Sequence, residues 1–117
     1  MKVIAITGTR RAGRNDDVLR YLDAEDPDVV IVGCADGVDD TARVWARPRA
    51  ILVTVGAPWK KLGKAAGPRR NQHLAYIAAM YRQQGDVWAA AFPDEKSVGT
   101  LDAMERFEAA GVDVRKL

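Results

Sequence analysis

Five short apolar runs constrain this chain more than any other feature: Val3 to Ile6, Val29 to Val32, Ile51 to Val55, Val87 to Phe92, and the weaker Val112-Asp113-Val114. The first three are β-branched and almost free of alternation. A strand that is apolar on both faces is covered by helices on both sides, whereas an antiparallel meander with one wet face would alternate apolar and polar residues. The segments between the runs carry helical spacing. Asp16 to Ala24 puts Val18, Leu19 and Leu22 on one face, and Asp39 to Arg47 aligns Ala42 and Trp45 with Val38 just before it, with Pro27 and Pro48 following the two helix ends. A third helix is predicted from about Arg70 to Gln84, with Leu74, Ile77, Ala78 and Tyr81 inward and Gly85 as a left-handed C-terminal cap. A fourth is predicted from about Thr100 to Ala110, with Ala103, Met104, Phe107 and Ala110 inward and Gly111 ending it.

Strand and helix in strict alternation, joined by short connections, imply right-handed crossovers and an α/β fold: a Rossmann-like three-layer sandwich with an open, mainly parallel five-stranded sheet. A length of 117 residues predicts a single domain spanning 1–117, and a composition of 48% hydrophobic and 29% charged residues is that of an ordinary globular protein. The first strand follows Met1-Lys2 directly and leaves no room for a signal peptide, so a cytoplasmic protein without a membrane role is expected. The single cysteine, Cys34, has no internal disulfide partner, and His73 stands alone without metal-ligand spacing, so no metal site is expected.

Ligands of open parallel sheets bind outside the carboxyl ends of the strands, so the loops after strands one to four are where chemistry is expected. The formal net charge is only +2, but its distribution is uneven: Arg10, Arg11, Arg14, Lys60, Lys61, Lys64, Arg69, Arg70 and Lys96, nine of the eighteen basic residues, fall in three of these loops. The first loop, Thr7-Gly8-Thr9-Arg10-Arg11-Ala12-Gly13, offers glycines, a hydroxyl and two guanidinium groups ahead of a helix, a composition suited to phosphate. It is neither a G-x-G-x-x-G fingerprint nor a Walker loop. In the second, Gly33 and Gly37 would let the backbone approach a ligand beside Ala35, and Asp36 could accept hydrogen bonds from ribose hydroxyls. Asp39 reads either as a ligand group or as the cap of the next helix, and Cys34 as a small packing thiol.

The third linker, Gly56 to Gly67, is the longest and reads as a basic loop in which Trp59 offers a face for base stacking. Pro68 suits a helix start, which places Arg69, Arg70 and Asn71 on the first turn. Arginine there opposes the helix dipole, and a bound phosphate would relieve the conflict. The fourth loop brings Ser97, Gly99 and Thr100 to a helix N-terminus, as phosphate ligands or as caps.

Taken in order, Thr7-Gly8-Thr9-Arg10, Gly33-Cys34-Ala35-Asp36-Gly37-Val38-Asp39, Trp45-Ala46, Gly67-Pro68-Arg69-Arg70-Asn71 and Ser97-Val98-Gly99-Thr100 resemble the SLOG superfamily, to which the DprA and Lonely Guy proteins belong, and within it the small YspA-type branch. The resemblance covers nearly the whole chain. It implies a nucleotide-binding fold, a homodimer or higher oligomer, and ligands such as nucleoside monophosphates, NAD or ADP-ribose derivatives, with no obligatory cofactor. Lonely Guy enzymes hydrolyse a nucleotide N-glycosidic bond with an arginine and a Pro-Gly-Gly-x-Gly-Thr-x-x-Glu motif. The glutamate position is Ala103 here, and Lys96 and Ser97 stand where the paired glycines would be. Glycosidic cleavage needs a carboxylate, and with the glutamate missing Asp36, Asp94 or Glu95 would have to substitute, so the expectation is a ligand-binding or sensing module. The alternatives are a phosphoribohydrolase and, through the Trp59 to Arg70 segment, DprA-like binding of single-stranded DNA.

Overall fold

In the computed structural model, which describes residues 1–117, an open all-parallel sheet of five strands is flanked by helices on both faces. The strands are β1 (Lys2–Gly8), β2 (Val29–Val32), β3 (Ile51–Thr54), β4 (Asp86–Phe92) and β5 (Asp113–Lys116), in the spatial order β3-β2-β1-β4-β5. The helices are α1 (Asn15–Glu25), α2 (Val38–Ala46), the single turn α3 (Trp59–Leu62), α4 (Ala66–Tyr81) and α5 (Val98–Ala109). The first three apolar runs became β1 to β3 to within two residues of their expected limits.

The absence of alternation follows from two cores. Ile4 and Ile6 of β1 face α1 and α2, packing with Val18, Leu22, Val38, Ala42 and Trp45. Val3 and Ala5 face the other way, onto Leu74, Ala75 and Ala78 of α4 and Ala103 and Phe107 of α5. Each valine, leucine, isoleucine or phenylalanine among them contributes about 1.5–3 kcal/mol on burial, and each alanine less. Leu19, expected on the inner face of α1, is instead exposed, since Val18 and Leu22 already fill the space over the sheet.

Three local expectations are corrected. The helix expected from Arg70 begins four residues earlier, at Ala66, and ends at Tyr81. Pro68 is its third residue, where the missing N–H would have had no acceptor within the helix, so proline does not stop it. Arg69, Arg70 and Asn71 therefore lie at the end of the first turn and into the second, and the expected clash with the helix dipole is weaker than at the first positions. Gly85 is not a left-handed cap. The chain leaves α4 through tight turns closed by Arg82 N–H to Ala79 and Gln84 N–H to Tyr81, and Gly85 is small because the Met1 carbonyl lies against it. Finally, the basic linker is not an open loop: α3 and a 3₁₀ turn at Gly63–Ala65 lead directly into α4.

No helix is long and apolar enough to cross a membrane. The winding reverses between β1 and β4, so the loops after these two strands diverge and leave a crevice at their carboxyl ends.

Candidate functional site

A cavity of about 160 Å³ opens at that crevice. Its walls are Thr7 to Arg11 at the end of β1 and in the loop after it, Ala35 and Asp39 around the start of α2, Arg70 of α4, and Lys96 to Thr100 at the start of α5. The N–H groups of Gly99 and Thr100 find no backbone acceptor, as expected for the first turn of a helix, and the partial positive charge of α5 faces the same space. Thr100 is buried on the cavity wall and caps nothing.

Arg70 is the one buried cation on the cavity wall. It is 8% exposed, and its Nε donates to Oδ1 of Asn71 at 2.9 Å. The Asn71 amide nitrogen donates in turn to Asp102 Oδ2 at 2.9 Å and to the Gly99 carbonyl at 3.2 Å. Partial burial works to raise the Asp102 carboxyl, but its hydrogen bonds from Arg106 and Asn71 outweigh that and hold it below its ordinary value. Asn71 thus aims Arg70 without lining the cavity. Arg69, expected beside Arg70 as an anion ligand, is exposed and lines no part of the cavity, because neighbouring helix residues point about 100° apart.

Asp39 is the second buried charge, 5% exposed, and the capping role considered for it does not occur. Gly37 occupies the cap position, with φ +68°, and Asp39 sits in the first turn of α2. Its Oδ2 accepts the Ala35 N–H at 3.1 Å and lies 4.0 Å from Nη1 of Arg70. Burial pushes its carboxyl up to about 6, against the opposing pull of Arg70, the Ala35 N–H, Arg43 and Arg10. Gly33 permits this pairing. A Cβ there would lie 2.5 Å from Arg70 Nη1 and 2.8 Å from Asp39 Oδ2, so the glycine admits the chain's own side chains where a ligand was expected. Gly37 likewise lies against the carbonyls of Thr9 and Arg10.

Three of the expected phosphate ligands are engaged by Asp94. Arg11 grips it with both Nε (2.6 Å) and Nη2 (2.5 Å), and Thr9 Oγ1 donates to it at 2.6 Å. The Ser97 hydroxyl donates to Asp94 Oδ1 and accepts the Asp94 N–H. These bonds, from Arg11 first and Thr9 next, hold the Asp94 carboxyl far below the usual carboxylate range. Asp94 therefore ties the β1 loop to the β4 loop and closes one side of the cavity. Among the residues expected to meet an anion, Arg10, Arg70, Gly99 and Thr100 remain available.

A second hollow of about 180 Å³ adjoins the first, sharing Arg10, Ala35 and Arg70 and adding Cys34, Asp36 and Trp59. The Arg10 guanidinium lies 5.5 Å from the centre of the Trp59 ring. Cys34 is exposed and not a packing thiol: its sulfur accepts the Ala57 N–H at 3.3 Å and faces Arg70 Nη1 at 3.6 Å. Asp36 is exposed at the rim, and His73 is exposed on α4 away from both hollows. Ala103 is fully buried beneath α5.

Sequence reasoning did not single out Asp94 as an organiser or Asn71 as a positioning group. The Asp-x-x-Ser spacing of Asp94 and Ser97 is a local signal for the former, but its partner residues lie about 85 positions away in the chain. No protein-family model matches the sequence. The chain is 39% identical over 92 residues to the Gene 61 protein of Mycobacterium phage D29, an alignment covering 74% of this chain and 68% of that protein. On that similarity the chain belongs to the family of the phage Gene 61 protein.

Proposed function

We propose that the cavity between the β1 and β4 loops binds the phosphate of a nucleotide or nucleotide-derived ligand of the nucleoside monophosphate, NAD or ADP-ribose kind, and that the protein is a recognition or sensing module. The observation carrying this reading is the convergence of a buried, pre-oriented Arg70 and the unpaired N–H groups of Gly99 and Thr100 on one cavity at the switch point of the sheet. Guanidinium, helix N-terminus and hydroxyl are the donors that phosphate oxygens accept from, and all are in place before a ligand arrives. Arg10 and Trp59 border the adjoining hollow, where a base could lie against the indole with Asp36 at the rim.

The resemblance to the SLOG superfamily supports the same ligand class, and with it a cytoplasmic homodimer. Recognition is favoured over N-glycosidic hydrolysis because the position of the family glutamate is a buried alanine, Ala103. Calorimetric titration with nucleoside monophosphates, NAD and ADP-ribose tests the proposal. Binding of at least one, abolished in Arg70→Ala, is expected. Absence of binding to the whole panel, or undiminished binding in Arg70→Ala, would overturn it.

A further inference from the structure

Asp39 is the only carboxylate on the wall of a cavity whose charged side chains are otherwise all cationic. A site meant only for an anion has no use for it, since a negative charge beside the ligand opposes binding. Nor is it consumed by the fold. Of its two oxygens, only Oδ2 is engaged, by the Ala35 N–H, with Arg70 at 4.0 Å, beyond hydrogen-bond distance. Oδ1 accepts no hydrogen bond from the chain, and it is not sealed inside the protein: the one fully buried side-chain oxygen without a partner is Asn15 Oδ1, whereas Asp39 lines the cavity. A carboxylate oxygen left free on a cavity wall is an acceptor that a donor on the ligand can meet. Arg43, another cation near this carboxylate, is not available to supply one: its Nη1 and Nη2 donate to the carbonyls of Gly33 and Ala35, and Nη2 also to Asp40.

We propose that Asp39 is the specificity-determining residue of the cavity, its free Oδ1 accepting a hydrogen bond from a hydroxyl of the ligand, so that the site takes a 5′-phosphorylated ribose and discriminates against the same molecule without its ribose hydroxyls. This rests on the anion-binding reading above and deepens it: Arg70 and the α5 N-terminus hold the charge, and Asp39 reads what is attached to it. The exposed Asp36, which by its position in the sequence could have had this role, lines only the adjoining hollow. Gly33 belongs to the same device, because only a residue without a Cβ lets Asp39 and Arg70 stand together beside the ligand.

The test is titration of the intact protein with inorganic phosphate, ribose 5-phosphate, a nucleoside 5′-monophosphate and its 2′,3′-dideoxy counterpart, in the wild type and in Asp39→Asn. In the wild type the dideoxy nucleotide is expected to bind about tenfold or more weakly than the ribonucleotide, the loss that follows when a hydrogen bond to an ionised group is removed. In Asp39→Asn that ratio is expected to shrink towards one while inorganic phosphate binds more tightly, because a like charge has left the cavity. A residue of merely structural importance would weaken all ligands together. Ribose 5-phosphate distinguishes a sugar phosphate reader, which holds it as well as the nucleotide, from one that also needs the base; both outcomes support the role of Asp39. Equal binding of ribo- and dideoxynucleotide by the wild type, or an unchanged ratio in the variant, would overturn the assignment and leave the anion site standing. Failure of phosphate and every nucleotide to bind would overturn both.

Discussion

The Nε of Arg70 is fixed by the side-chain oxygen of its own neighbour in sequence, Asn71, at 2.9 Å, and Asn71 is fixed in turn by Asp102 from another helix. Two helices therefore agree on the position of one guanidinium. Replacing Asn71 by alanine leaves the Arg70 Nε and an Asp102 oxygen without that partner and opens space under α5. A loss of about 1–3 kcal/mol in urea denaturation is expected, the cost of leaving buried polar groups unsatisfied. Ligand affinity should fall further than global stability explains, because Arg70 is released from its aim.

Arg70→Lys separates charge from geometry. Lysine keeps the positive charge but cannot donate through a fixed fork and cannot be held by Asn71 through an Nε while presenting a second face to the cavity. Binding of a nucleotide is expected to weaken at least about tenfold in titration calorimetry, with the fold retained. Affinity equal to that of the wild type would mean that the site needs only a point charge.

How much of this arrangement could be read from the sequence divides along a physical line. Strand positions were legible because burial on both faces forces uninterrupted β-branched runs such as Val29–Val32, a signal carried by neighbouring residues. The edges were less so: the Lys-bearing β5 packs on one neighbour only and keeps little of the apolar signature. The loops that line the cavity were also legible, since the topology sends them to one edge. What each polar residue does there was not. Arg11 and Arg10 are adjacent and equally basic, yet one is bound to Asp94, distant in sequence, while the other stands free over Trp59. Asp39 looks like a helix cap locally, and only its packing against Arg70 across Gly33 makes it a cavity wall.

Gly33→Ala tests that packing. The new methyl would meet Arg70 Nη1 and Asp39 Oδ2 at well under contact distance, and one of them must move. Because Arg70 is tied to Asn71, the strain falls on both the pair and the start of α2. Destabilisation of about 1–3 kcal/mol is expected by thermal or urea unfolding, as for other overpacked sites, together with loss of ligand binding.

Asp39 and Asp94 give opposite dependences of stability on pH, in different windows. Asp39 has its carboxyl raised to about 6 in the folded protein, above the ordinary value near 4 that it regains on unfolding, so the folded state holds the extra proton between these values. Its contribution is therefore most favourable below pH 4 and is lost as pH rises through 6. Asp39→Asn is expected to flatten this slope and to stabilise the protein at pH 7, by about 2 kcal/mol, with no gain at pH 4. Asp94 is shifted the other way by Arg11 and Thr9, so its contribution is present above about pH 4 and lost only as pH falls below that. Melting temperatures of wild type, Asp39→Asn and Asp94→Asn followed from pH 3 to 8 should show the first variant diverging above pH 4 and the second converging on the wild type below it.

Trp59 separates the two halves of the site. Its exposed ring borders the hollow next to the anion cavity and carries the Arg10 guanidinium on its face, but it is not among the walls of the anion cavity itself. If a base stacks there, Trp59→Ala removes an interaction worth about 1–3 kcal/mol from a nucleotide and nothing from inorganic phosphate. Titration with the two ligands should thus show nucleotide affinity falling by about tenfold or more while phosphate affinity stays within error of the wild type. A parallel loss for both would mean that Trp59 acts through Arg10, by holding a cation at the mouth of the anion cavity, and Arg10→Ala would then reproduce the whole effect.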